Sequence, residues 1–443
     1  SFLVDAGIRF VTDMCKMRAF VELWDEICQS RYGVENPKYR RFRYGVQVNS
    51  LGLTEQQPEN NVYRILIEML AVTLSKNARA RAVQLPAWNE ALGLPRPWDQ
   101  QWSMRMQQIM AFETDLLEYE DLFDGNPTIE AKVARLKDEA RHELASLDAQ
   151  GGAIEAIGYM KSRLVESNTQ RLNKIASKET TVVGVNKFTT GEPSPLTAGD
   201  GGIMTVDPAV EQDQVDRLNA WRCARDDASV ASALRSLRAA AQAGENIMPA
   251  SIAAAKAGVT TGEWAAQMRL IYGEYRGPTG VARGVSNQSE GLDEIREAVD
   301  LVSQKLGRRL GFLMGKPGLD GHSNGAEQIA ARARDCGMEI AYDGIRLTPE
   351  QLIASVQEHQ PHVIGLSILS GSHIPLVEDM MKRLQLAQLD NIPVVVGGII
   401  PQEDMIRLTA MGVAKIYTPK DFELNAIMMD IVSLADPTDL AAE

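Results

Sequence analysis

Several chemistries are missing from this chain of 443 residues, and each absence excludes something. Cysteine is scarce: Cys15, Cys28, Cys223 and Cys336 are scattered, with no CxxC pair and no spacing of a disulfide framework. That usage predicts reduced, mostly buried thiols in a cytoplasmic protein. No run of about 18 uncharged apolar residues occurs, so no membrane-spanning helix is expected. Cationic excess is lacking, since 46 Lys+Arg face 59 Asp+Glu for a net charge of −13. A nucleic-acid-binding footprint would be basic. There is no tandem repeat at solenoid periods, no signal-peptide pattern and no initiator Met; the chain opens Ser1-Phe2-Leu3-Val4-Asp5, as though already inside a helix, which predicts a fragment. What remains is ordinary for a globular protein, 44% apolar and 24% charged. At roughly 150 residues per domain, the length predicts two to four domains.

The first part alternates helix and strand. Val4, Ile8, Val11 and Cys15 recur at helical spacing, which predicts one helix over residues 3–29. A basic loop follows at 34–43, a candidate contact for phosphate groups if it is more than a solvated connection. Strands are predicted at Tyr44–Val48 and Ala80–Leu85, and helices at Asn60–Ser75, with Asn60 or Asn61 as N-cap, and at Ser103–Tyr119. The Met residues of 104–110 read as core packing. The middle is polar and helical over 127–178, extended at 182–187, loop-like at 189–207, helical again over 208–275 and linker-like from Gly277 to Gly291.

The C-terminal stretch is the most regular. Short apolar runs at Leu310–Met314, Met338–Tyr342, Val363–Leu369, Pro393–Val396 and Ala414–Tyr417 alternate with helical patterns. Such runs are what buried parallel strands look like. The expected fold is doubly wound and flavodoxin-like, with its ligand at the carboxyl ends of the strands.

Four of the five His fall there: His322, His359, His362 and His373. His359 reads as solvated and His362 as structural. His322 lies in the glycine-rich loop Lys316-Pro317-Gly318-Leu319-Asp320-Gly321-His322-Ser323-Asn324-Gly325, after the first predicted strand. If Asp320 accepts from one ring nitrogen of His322, the other is fixed as a metal donor, and Lys316 can pair with Asp320. A zinc site wants three or four ligands. A lone His suits a metal already held by a macrocycle, unless it is simply a polar surface residue.

Asp320-Gly321-His322-Ser323-Asn324-Gly325 resembles the Asp-x-His-x-x-Gly signature of cobalamin-binding domains, with Ser367-Ile368-Leu369 and Gly397-Gly398 as its partner motifs. The resemblance implies that His322 ligates cobalt and that Ser367, Leu369, Gly397 and Gly398 line a cleft for the displaced dimethylbenzimidazole tail. Gly321, Gly371, Tyr417 and Thr418 would be further cofactor contacts, and Lys316 and Asp320 would tune His322. The segments Leu53–Asn61, Asn89–Leu92, Val182–Lys187 and Asn246–Met248 are similar to acyl-CoA mutases of the methylmalonyl-CoA mutase family. That family implies the C-terminal part of a (β/α)8 TIM barrel at 1–125, a helical linker region at 126–305 and a cobalamin-binding domain at 306–443, with Gln47 and Glu90 facing the adenosyl group.

Gly45, Arg81 and Pro86 depart from the methylmalonyl pattern. Arg81–Glu90 and Tyr417–Asp421 resemble instead the branch acting on ethylmalonyl-CoA. The resemblance thus implies an adenosylcobalamin-dependent radical rearrangement of (2R)-ethylmalonyl-CoA to (2S)-methylsuccinyl-CoA, with methylmalonyl-CoA as the alternative substrate. A non-catalytic corrinoid carrier is disfavoured by the barrel-like residues 44–92, and a response regulator by the lack of an acidic cluster around Asp320. The family further implies a homodimer and a G-protein metallochaperone. Since a (β/α)8 barrel takes about 250 residues, some six βα units are expected to be missing upstream of Ser1. The chain alone should then bind cobalamin without turning over substrate.

Overall fold

The computed structural model describes residues 2–197, 202–204, 207–281, 292–421 and 423–438. Parts of the predicted loop at 189–207 and of the linker at 277–291 therefore lie outside the described residues. Two compact units emerge, Ser1–Met204 together with Pro278–Glu443, and Thr205–Gly277.

The first unit opens with β1 (Phe2–Ala6), α1 (Phe10–Ser30), β2 (Tyr44–Val48), α2 (Asn60–Thr73), β3 (Ala82–Gln84) and α3 (Pro97–Phe112). β1 corrects the sequence expectation of a single helix from residue 3. Val4 does keep helical spacing with Ile8, Val11 and Cys15, but Phe2–Ala6 pairs in parallel with Tyr44–Val48, and the tertiary ladder overrides the local period. Strand order is β1-β2-β3, all parallel. Side chains alternate between faces. Ala6, Tyr44 and Val46 bury one face against Met17 of α1 and Val72 of α2. The opposite face carries Leu3, Gly45 and Ala82 in one row and Asp5, Gln47 and Gln84 in the next. Helices on one side and an accessible second face are the arrangement of a barrel wall.

Neither Asn60 nor Asn61 caps α2, contrary to the sequence expectation, since the helix already starts at Asn60 with Glu59 before it; Asn61 has another role. It lies fully buried within the helix; its side-chain oxygen accepts from the Thr54 amide at 3.0 Å, and its amide donates to the carbonyls of Thr54 and Trp88, both at 2.9 Å. The predicted Met core of α3 is split, with Met106 buried and Met104 exposed.

Next come α4 (Pro127–Ala149), whose N-terminus is capped by the Asn126 side chain, and α5 (Ile157–Ala176). The stretch predicted to be extended at 182–187 is a tight turn with a single bridge between Val183 and Lys187. The second unit is helical: α6 (Pro208–Ala224), α7 (Asp227–Gln242), α8 (Met248–Lys256) and α9 (Thr261–Tyr272). Leu237, Ala241 and Met268 form its small core. Arg225 clamps Glu263 through two bonds of 2.7 and 2.6 Å.

The C-terminal fold begins with α10 (Leu292–Leu306), which falls within the stretch expected to be linker yet supplies Leu292, Ile295, Val299 and Val302 to the core. Then follow β4 (Gly311–Gly315), α11 (Asn324–Asp335), β5 (Glu339–Ala341), α12 (Pro349–His359), β6 (Val363–Ile368), α13 (His373–Leu386), β7 (Val394–Gly398), α14 (Gln402–Ala410), β8 (Lys415–Tyr417) and α15 (Leu424–Leu434). These are the five predicted βα units. The parallel sheet has order β5-β4-β6-β7-β8, the doubly wound order whose ligand crevice opens where the winding reverses, at β4 and β6. α10, α11 and α15 pack on one face, and α12, α13 and α14 on the other. His362 is structural, as expected: its Nδ1 accepts the Gly311 amide at 2.8 Å.

Glu68 of α2 is 1% exposed, and its Oε2 has no hydrogen-bond partner. Burial, and then the charge of Asp13, push its carboxyl up to about 8, with Arg64 opposing and Asp5 adding to the rise. The folded state therefore keeps a proton that the unfolded chain releases near 4.5. This contribution to stability is fully present below that value and is lost as pH rises through about 8. Glu68→Gln should melt above the parent protein at alkaline pH and converge on it under acid conditions. Thermal melts across that range check this; a constant offset between parent and variant would contradict it.

Candidate functional site

The loop after β4 is organised by one carboxylate. Asp320 is buried, and its Oδ2 accepts from Lys316 Nζ at 2.6 Å and from the Leu369 amide at 2.9 Å. Its Oδ1 accepts from the His322 amide at 2.9 Å and lies 2.7 Å from His322 Nδ1. Burial alone would raise the Asp320 carboxyl, but the Lys316 ammonium, the two backbone amides and the His322 ring outweigh it and hold the group well below the usual carboxylate range. Against an ionised Asp320, Nδ1 is the ring nitrogen of His322 that carries a hydrogen, so Nε2 is the one left open as a donor. The His322 side chain is 74% exposed, so that nitrogen points to accessible space. Lys316 is fully buried and also donates to the Ser367 carbonyl at 3.3 Å. The ends of β4 and β6 are thereby tied through the same pair.

Beside this loop lie the carboxyl ends of β6 and β7, with Ser367 opposite Gly397 and Ile368 opposite Gly398. Gly325, in the first turn of α11, comes within 4.0 Å of Ser367 Oγ by the position a Cβ would take. At Gly397 a Cβ would meet nothing within 4 Å, whereas at Gly398 it would collide with the Ile368 carbonyl oxygen. The two glycines thus serve different ends, one leaving space and the other allowing close strand packing. Tyr417 hydroxyl donates to Asp430 of α15 at 3.1 Å, and the Thr418 amide donates to Asp421 at 2.8 Å. Leu369 is exposed, and Gly371 packs against Leu94 of the N-terminal part, 3.3 Å from its would-be Cβ. Gly321 lies against the Arg346 guanidinium.

Of the two N-terminal candidates, Glu90 is brought to this site. It is half-buried; burial raises its carboxyl, while a hydrogen bond to Ser50 and the nearby His322 ring oppose the rise. Gln47 stands exposed on the accessible face of β2, in register with Gln84. The basic loop is partly committed elsewhere, since Arg40 pairs with Asp25 at 2.8 Å and donates to the carbonyls of Val34 and Glu35.

Two supporting residues escaped the sequence reading. Asp99 is fully buried and accepts from Trp88 Nε1 at 3.0 Å and Asn89 Nδ2 at 2.9 Å, so it fixes the turn that carries Glu90. Its place in the first turn of α3, after Pro97, is the signal that could have found it. Lys420 pairs with Glu55 at 2.6 Å across 365 positions of sequence, and no local pattern marks that contact.

Among the described residues no group of three His, Cys, Asp or Glu could hold a metal ion. His322 is therefore a single oriented donor, and that fits a metal whose other ligands come from a macrocycle. The open space over Gly397 fits a flat ring system beside it.

Comparison with known proteins agrees. The family model described as methylmalonyl-CoA mutase matches residues 1–274, and the B12 binding domain model matches 311–421. The chain is 72% identical over its whole length to an ethylmalonyl-CoA mutase of Cereibacter sphaeroides, covering 68% of that protein. It is 60% identical to the ethylmalonyl-CoA mutase of Methylorubrum extorquens, over 98% of this chain and 64% of the relative. A methylmalonyl-CoA mutase of Escherichia coli is 31% identical over 98% of this chain and 61% of the relative. The chain thus spans about two thirds of the length of the curated relatives it matches.

The two glycines give a paired test. Gly397→Ala should keep the thermal midpoint of the parent, a change within about 0.5 kcal/mol, while weakening cobalamin binding. Gly398→Ala should cost about 1–3 kcal/mol of stability by overpacking. Melting curves alongside cobalamin titrations read both effects, and equal thermal loss in the two variants would refute the distinction.

Proposed function

The chain belongs to the methylmalonyl-CoA mutase family, and on that premise we propose that it acts in the adenosylcobalamin-dependent rearrangement of (2R)-ethylmalonyl-CoA to (2S)-methylsuccinyl-CoA. The observation that carries the cofactor role is the Asp320-held ring of His322, with Nε2 open at the end of β4. The substrate reading rests on the greater likeness to the two ethylmalonyl-CoA mutases than to the methylmalonyl-CoA mutase. Gly45, Arg81 and Pro86 point the same way.

In this reading His322 donates Nε2 to cobalt, and Asp320 keeps Nδ1 protonated and the ring in one orientation. Lys316 balances the buried Asp320 charge and fixes the loop to β6. Ser367, Leu369, Gly397, Tyr417 and Thr418 would line the space for the cofactor tail, with Gly321 and Gly371 giving close backbone approach. When bound, adenosylcobalamin supplies the radical chemistry. Glu90, whose carboxyl burial raises, offers a hydrogen-bonding carboxyl toward the adenosyl hydroxyls, and Gln47 offers an amide from β2. The Lys420–Glu55 pair and the Gly371–Leu94 contact bring the two halves together where water must be excluded. The same reading places the protein in the cytoplasm, as a homodimer served by a G-protein metallochaperone.

His322→Ala should abolish tight cobalamin binding or leave the cofactor's own base on the cobalt. The absorption spectrum reports this, and an unchanged base-off, His-on spectrum would sink the ligand assignment. Turnover of ethylmalonyl-CoA against methylmalonyl-CoA by the full-length, adenosylcobalamin-loaded enzyme tests the substrate; equal or reversed preference would overturn it.

A further inference from the structure

α11 follows directly on the His322 loop, and most of its length is buried. One side meets the C-terminal fold: Gly325 faces Ser367, and Arg332, about two turns on, reaches Asn425 of α15. The other side meets α5. Lys161 Nζ lies 2.6 Å from Glu327 Oε1 and 3.4 Å from Ser323 Oγ. Further along, Thr169 Oγ1 donates to Gln328 Oε1 at 2.9 Å, and Gln328 Nε2 donates to the Val165 carbonyl at 3.3 Å.

These ties differ in kind. The Glu327 side chain is 5% exposed and that of Lys161 28%. A nearly buried carboxylate needs its cation, because removing one partner strands the other charge. Ser323 is the residue next to His322, so the same ammonium touches the residue joining the ligand loop to the helix. The Lys161 backbone is itself pinned: Gly280, with φ of +74°, passes so close that a Cβ there would sit 2.8 Å from the Lys161 carbonyl. Thr169 and Gln328 hold the two helices together without reaching the loop.

We propose that Lys161 is a positioning residue for His322: from α5 it fixes the first turn of α11, and through Ser323 the His322 loop, from the side of the helix away from Ser367. The proposal rests on His322 being the cobalt donor. It makes cofactor affinity depend on a residue outside the cobalamin-binding fold.

The test is an adenosylcobalamin titration of the 443-residue chain, followed by absorption, with thermal melts in parallel. Lys161→Met should weaken binding about tenfold, the low end of what losing an outer partner of a metal ligand costs, and should lower the base-off, His-on fraction at saturation. Lys161→Arg should restore both. Thr169→Val should lower the thermal midpoint while keeping the parent affinity and spectrum. If Lys161→Met is too unstable to titrate, Lys161→Met/Glu327→Gln removes both charges together and should show the same binding loss. Parent affinity in either Lys161→Met protein, or equal weakening by Thr169→Val, would overturn the proposal. His322→Ala run alongside separates the two readings: if it keeps the parent spectrum, the ligand assignment fails, whatever Lys161 does.

Discussion

The site depends on one buried ion pair. Lys316 and Asp320 have side chains 0% and 1% exposed, and a pair so placed is tolerated only when its remaining hydrogen-bonding capacity is filled. Asp320 achieves this with two amides and an imidazole, and each of those bonds has a structural consequence. The Leu369 amide locks the loop after β6, the His322 amide shapes the turn, and the ring bond selects the tautomer. The charge is stabilised by the same contacts that aim the ligand, so stability and function cannot be separated at this carboxylate.

Around that pair, the two parts of the first unit converge. Glu90 is carried to the His322 neighbourhood by a turn that Asp99, Trp88 and Asn89 hold from beneath. Lys420 and Gly371 contribute contacts from loops at the carboxyl ends of β8 and β6. Glu90, Lys420 and Gly371 are loop residues set on rigid strands and helices, which is where binding residues accumulate when a scaffold fixes their geometry.

The C-terminal fold was readable because each strand is a short apolar run bounded by turn residues, a pattern that depends on nearest neighbours. The Asp320–His322 and Lys316–Asp320 contacts were readable for the same reason, being two and four residues apart. β1 was not, because Val4 satisfies a helical period and its pairing partners lie some 40 residues away. The Lys420–Glu55 pair was invisible because nothing local links its partners, whereas Asp99 did carry a local signal, its place in the first turn of α3. Asn61 misled, since an Asn at a helix start usually caps it, and here it bonds Thr54 and Trp88 from inside the first turn. Glycine roles were half legible: the Gly397-Gly398 motif marked the place, but which of the two leaves space emerged only from the packing.

α5 carries its ties to α11 at Lys161, Val165 and Thr169, spaced four and four, and then meets the N-terminal part where Arg171 donates to the Leu51 carbonyl at 2.9 Å. Such a helix is a phased rod. Each residue turns it by about 100°, so adding or removing one would swing one set of contacts to the wrong side while leaving the other in place. Its length between the two attachments is therefore quantised, with drift tolerated only in steps near a whole turn.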